Sequence, residues 1–113
     1  IYIIEKNGTC LLYGHDTGMN LSVEAWECIY SHKYSLISMD ATMGKQKTDG
    51  YHMGVWDDVE FARRLEEKGC IDGKTIKVIN HFSHNGGMTH KDLEAFAGEH
   101  GMMAAYDGMK VEV

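Results

Sequence analysis

The 113-residue sequence contains no proline at all. Every turn must therefore be made by glycine, asparagine, aspartate or serine, and no helix is broken by a missing amide. It has only three cysteines, Cys10, Cys28 and Cys70, which are odd in number and far apart. That excludes a disulfide framework and a C-x-x-C metal knuckle, and the three read as buried, reduced thiols of a cytoplasmic protein. No apolar run approaches the ~20 residues needed to span a bilayer, and nothing at the N-terminus resembles a signal peptide. Positive charge is scarce: 11 Lys and Arg against 17 Asp and Glu leave a formal charge of −6. Phosphate-backbone contacts need clustered cations, so the balance argues against a nucleic-acid surface and, with no span, against a membrane partner. No internal repeat or low-complexity segment is present.

What is there is an ordinary folding composition, 43% hydrophobic and 25% charged, long enough for one domain with a modest core. Asn7-Gly8 between Tyr2–Glu5 and Thr9–Tyr13 predicts a hairpin, because both turn residues tolerate positive φ. Residues 20–30 read as a helix with Leu21, Ala25, Cys28 and Ile29 on its inner face and Asn20 as cap. Ser35–Met39 and Thr75–Asn80 read as short buried strands, and 41–50 as a loop. Val55, Val59, Ala62 and Leu65 recur at helical spacing over 54–68. Asp57, Asp58 and Glu60 suit that helix's positive N-terminal end, and Gly69 stops it. Thr89 with Asp92 resembles a capping box opening a helix to about Glu99. Met102–Tyr106 and Met109–Val113 suggest a closing hairpin across Asp107-Gly108. The eight methionines read as flexible core filler rather than ligands. The order ββ-α-β-α-β-α-ββ predicts an α/β (α+β layered) domain, a mixed sheet with helices on one face.

Three of the strand-like runs stop at an acid or a histidine. LLYG runs into His15-Asp16-Thr17-Gly18, SLISM into Asp40-Ala41-Thr42, and IKVIN into His81-Phe82-Ser83-His84. His52 adds a further imidazole at the mouth of the 54–68 helix. Residues just past strand ends can converge without being buried, and ligand sites in layered α/β folds are commonly built so. Carboxylate and imidazole are the usual ligands of zinc, manganese and iron in hydrolytic centres. Each residue also has a plainer reading: Asp16 and Asp40 as turn formers, His52 as a first-turn helix residue, His84 as a polar loop residue. His32, His90 and His100 read as surface residues. Gly86-Gly87 can be a plain turn or a close approach to substrate.

The succession Asp16-Thr17-Gly18, Asp40-Ala41-Thr42, His52-Met53-Gly54 and His81-Phe82-Ser83 resembles the C-terminal half of the metallo-β-lactamase superfamily. It is closest to the branch of the tRNA 3′-processing endonucleases and the phosphoribosyl cyclic-phosphate phosphodiesterases. The likeness spans almost the whole chain. It implies half of an αββα sandwich. It also implies that Asp16 bridges two divalent metal ions (zinc or manganese, with iron a third choice) and that His81 ligates one of them. Asp40 and His52 would be the catalytic acid–histidine pair, His52 donating a proton to the leaving oxygen; His15 and His84 would border the pocket. The implied reaction is metal-assisted hydrolysis of a small, cyclic phosphodiester.

Two departures stand out: His15 replaces a small residue, and Met53-Gly54 replaces Ser-Thr. The family's His-x-His-x-Asp-His motif is not in this sequence. Two zinc ions sharing Asp16 need roughly five or more protein groups. The chain by itself is thus expected to bind metal weakly, to be catalytically poor, and to associate with itself or with the missing N-terminal half. The alternatives are an RNA 3′-end processing nuclease and a non-catalytic α/β interaction module that keeps the motif as scaffold.

Overall fold

The computed structural model describes residues 1–48 and 50–113. Five strands, β1 (Tyr2–Lys6), β2 (Thr9–Gly14), β3 (Leu36–Asp40), β4 (Ile76–Asn80) and β5 (Met103–Ala104), form one sheet in sequential order. Helices α1 (Val23–Tyr30), α2 (Val55–Glu67) and α3 (His90–Glu99) connect β2 to β3, β3 to β4 and β4 to β5. β1 and β2 are the antiparallel hairpin turned at Asn7 (φ 51°) and Gly8 (φ 79°); the other pairings are parallel. The fold is therefore α/β with a mixed sheet. Crossovers that advance in one direction with one hand put their helices on one face.

Register shows which face. Leu12 pairs with Ile37, and Gly14, Met39, Ile79 and Ala104 align in one row across the sheet. These residues are buried together with Ile29 of α1, Phe61 and Leu65 of α2, and Leu93 and Ala97 of α3. Alternation sends the intervening residues, Tyr2, Ile4, Leu11, Tyr13, Leu36, Ser38, Val78 and Met103, to the opposite face. Among the described residues no helix covers that face, and Tyr2 (68% exposed), Ile4, Tyr13 and Met103 stand in solvent.

Local chemistry explains the helix ends. The Ser22 hydroxyl accepts the Ala25 N–H, so α1 starts at Ser22 and not at Asn20. Asp57 accepts the Gly54 N–H at 2.9 Å at the start of α2. Thr89 and Asp92 exchange hydrogen bonds, completing the expected capping box of α3.

Four expectations need correcting. Cys28 is exposed, because α1 turns Trp26, Ile29 and Tyr30 inward; Trp26 stacks on Tyr30 and packs against Phe61. Cys10 and Cys70 are buried free thiols, each pushed up by burial. On α2 the buried row is Val55, Asp58, Phe61, Ala62 and Leu65, so Asp58 occupies an interior position and Val59 only half of one. The C-terminal hairpin does not form. Met103–Ala104 pairs parallel with β4 after the α3 crossover, Ala105 N–H extends the pairing to Ile79, and 107–113 form no strand. Ala105, Tyr106, Met109 and Val111 instead wall a groove of about 460 Å³, floored by Leu36, Ser38, Val78 and Asn80 on the uncovered face. His90 is exposed as expected, whereas His32 and His100 are half-buried, His100 stacking on Phe96 at 4.2 Å. Among the described residues no helix is long and apolar enough to cross a membrane.

Candidate metal centre

The parallel strands β2, β3 and β4 point their C-terminal ends the same way, so the residues that follow them meet above one rim of the sheet. Asp40 is the last residue of β3 and is wholly buried. Its Oδ1 accepts the Thr42 N–H at 2.9 Å, a local turn that an aspartate makes with its own backbone two residues on. Its Oδ2 accepts the Thr17 N–H at 3.2 Å and lies 3.1 Å from His52 Nδ1 and 3.2 Å from His81 Nδ1. Burial alone would raise this carboxyl. Hydrogen bonds from Thr42, His52 and Thr17 outweigh it and hold Asp40 below the usual carboxylate range.

Asp16 and His81 follow β2 and β4, and both adopt left-handed backbone, at φ 56° and 58°. Outside glycine such conformations are uncommon and are over-represented where a side chain must be aimed. The Asn80 carboxamide oxygen takes the His81 N–H at 2.8 Å, and the Thr42 hydroxyl lies 2.7 Å from His81 Nδ1, which keeps that ring in place. Asp16 is mostly exposed, with Oδ1 3.6 Å from His52 Nδ1. The rings of His52 and His81 stack with centroids 5.8 Å apart.

One ligand atom from each of Asp16, Asp40, His52 and His81 falls within 4.8 Å of all the others. Ligands 2.0–2.2 Å from a single ion lie at most about 4.4 Å from one another, so a small inward movement makes the set fit a divalent cation. The donor chemistry, two carboxylates and two imidazoles, also fits. The structure thus brings together the four residues named from sequence as metal ligands or catalytic pair, and as a single group.

His15 borders that group. Its Nε2 lies 2.6 Å from the Ser38 hydroxyl, its ring packs tilted against Tyr13 with centroids 4.0 Å apart, and its centroid is 5.9 Å from that of His81. Burial, reinforced by His81 and opposed by Asp40, keeps it below the ordinary histidine range, so it is neutral near pH 7. His84 lies exposed in the short 3-10 turn His84–Gly86 and is not in the group.

Sequence reasoning gave no role of their own at this rim to Thr42, Ser38 or Asp58. Thr42 was legible as the hydrogen-bonding residue two after Asp40. Ser38 had no signal beyond its place in a strand. Asp58 reads as an acid favouring the positive end of α2; it is completely buried, and neither carboxyl oxygen has a partner among the described residues. Burial, with Asp40 and then Asp57 adding repulsion, raises it well above the usual range.

No protein-family profile matches the chain, and neither curated proteins nor solved structures show a significant similarity to it. None of these comparisons ties it to the metallo-β-lactamase superfamily.

Proposed function

We propose that Asp16, Asp40, His52 and His81 belong to the divalent-metal centre of a metallo-β-lactamase-type hydrolase acting on a small phosphodiester. The observation that carries the reading is the convergence of four donor atoms within 4.8 Å at one rim of a parallel sheet. It is strengthened by the left-handed backbone at Asp16 and His81, two residues that the motif order also singles out.

Asp40 faces the Nδ1 atoms of both histidines. A carboxylate there favours the tautomer with the proton on Nδ1 and leaves the His81 Nε2 as a donor lone pair, the usual arrangement of a metal-binding imidazole. Asp40 thus orients both rings, while the exposed Asp16 supplies negative charge to the ion. His52, held between Asp16 and Asp40, is placed to carry a proton to a leaving oxygen. A bound divalent ion, zinc or manganese with iron as a third choice and two in the complete centre, would stabilise phosphoryl charge and lower the pKa of a coordinated water. The further ligands would arrive over the uncovered sheet face, from a second copy or from the other half of such a sandwich.

Zinc titration of the chain, followed by equilibrium dialysis and metal analysis, tests this. Wild type should bind weakly but stoichiometrically. Asp16→Ala and His81→Ala should each lose at least about tenfold in affinity while keeping a cooperative thermal unfolding transition. Equal binding by wild type and both variants would sink the reading. If the metal binds as expected but bis(p-nitrophenyl) phosphate is not turned over even with the second half supplied, the non-catalytic scaffold reading takes its place.

A further inference from the structure

Three loops carry the candidate ligands, and they touch each other at glycines. Gly44, four residues after Asp40, has φ +53°, and a Cβ built on it would lie 2.2 Å from the Gly86 oxygen and 2.7 Å from the Gly86 Cα. A Cβ on Gly54, two residues after His52, would lie 2.6 Å from the Gly44 oxygen and 2.7 Å from that of Gln46. Real Cβ atoms do not approach backbone so closely, so the backbones themselves are in contact and only glycine fits.

Hydrogen bonds run through the same point. Gly44 O accepts the Val55 N–H at 2.8 Å, the Met43 N–H donates to Met53 O at 3.1 Å, and the Lys45 N–H donates to Gly86 O at 3.3 Å. The Gln46 carboxamide also donates to Asn85 O. One glycine therefore joins the loop after β3, the start of α2 and the turn after β4. These are the segments that set where Asp40, His52 and His81 stand. The Asp16 loop is seated in a similar way, since a Cβ on Gly18 would lie 1.7 Å from Gly50 O.

We propose that Gly44, Gly54 and Gly86 form a backbone lock that sets the spacing of His52 and His81, which makes these glycines positioning residues of the cluster. For metal affinity the inference rests on the metal-centre reading; for the ring geometry it does not. Parting the contact by a few tenths of an ångström should separate the two rings without unfolding the chain.

Gly86→Ala is the gentlest wedge, because its Cβ would meet Gly44 N at 3.0 Å and Gly44 Cα at 3.1 Å and its φ lies outside the left-handed region. Gly69→Ala is the control. Gly69, unlike Gly86, has positive φ (+71°) but nothing within 4 Å, so it reports backbone strain away from the cluster. Two readouts are needed. Long-range ¹H–¹⁵N spectra of the metal-free protein should show the His52 and His81 imidazole signals shifted in Gly86→Ala and unmoved in Gly69→Ala. Zinc affinity should fall about tenfold or more in Gly86→Ala, with an altered cobalt(II) visible spectrum, and should stay within twofold of wild type in Gly69→Ala.

Unmoved imidazole signals in a folded Gly86→Ala would overturn the lock, as would an unchanged zinc affinity in a wild type that does bind zinc. Shifted signals in a protein whose wild type binds no zinc would support the lock and refute the metal reading instead.

Discussion

Asp40 and Asp58 are both completely buried carboxyls in one small domain, yet their surroundings are opposite. The rim around Asp40 supplies two backbone N–H donors and two imidazoles, and the group is held low. Among the described residues the core under α2 supplies no partner to Asp58, and the group is driven high. Burial does not decide the charge of an acid by itself. What decides it is whether the surrounding chain has donors left to offer. Strand ends and loop starts have spare amides, whereas in the first turn of α2 the Val55 N–H is taken by Gly44 O and the Asp58 N–H by Gly54 O.

Removing the satisfied acid tests the contrast most severely. Asp40→Ala leaves the Thr17 and Thr42 amides and two imidazoles without their acceptor, and should cost about 3–5 kcal/mol in denaturant unfolding. A loss under about 1 kcal/mol would mean that the rim does not depend on this carboxylate.

The orphaned acid should behave in the opposite way. Asp58→Asn removes a group that must stay protonated to remain buried, and should raise stability at pH 8 by about 1–3 kcal/mol. The signs follow from linkage. Asp58 has a raised folded pKa, so the native state binds more protons above the unfolded value of about 4, and wild type loses stability as pH climbs from there. The gain from Asp58→Asn should therefore grow with pH and nearly vanish near pH 4. Asp40, lowered on folding, stabilises above its unfolded value and loses that contribution as pH falls through its folded value. A pH-independent gain in Asp58→Asn would break the comparison.

Thr42→Val is the smallest probe. It keeps the Asp40–Thr42 amide bond but deletes the hydroxyl facing His81 Nδ1, and should cost about 1 kcal/mol. Its effect should fall within about 0.5 kcal/mol of zero in an Asp40→Ala background if the two act on His81 as one network.

Several of these features could be read before folding. The Asn7-Gly8 turn, the Thr89–Asp92 box and the periodic apolar row of α2 are local statements, written within a few residues of one another. The positions of Asp16, Asp40, His52 and His81 after strands or before a helix were equally readable, because strand ends are marked by a change from apolar to polar residues. The burial of Asp58 was not, since helical spacing admits both 58 and 59 to the inner face and hydropathy favours Val59. Nor was the course of residues 105–113. Asp107-Gly108 promises a hairpin, but β5 is only two residues long, and the chain after it turns across the uncovered face of the sheet instead of pairing with β5's outer edge.

Up to β5, the amino-acid order alone therefore determined the element types, the turns and which residues end the strands, because these depend on φ preferences and on 2.0 and 3.6 periodicities over short stretches. Tertiary structure alone decided that four donors separated by up to 65 positions lie within 4.8 Å. It also decided that Gly44 must meet Gly86, and that one buried acid is satisfied while the other is not. Those facts depend on distances between segments that only the packed sheet brings together.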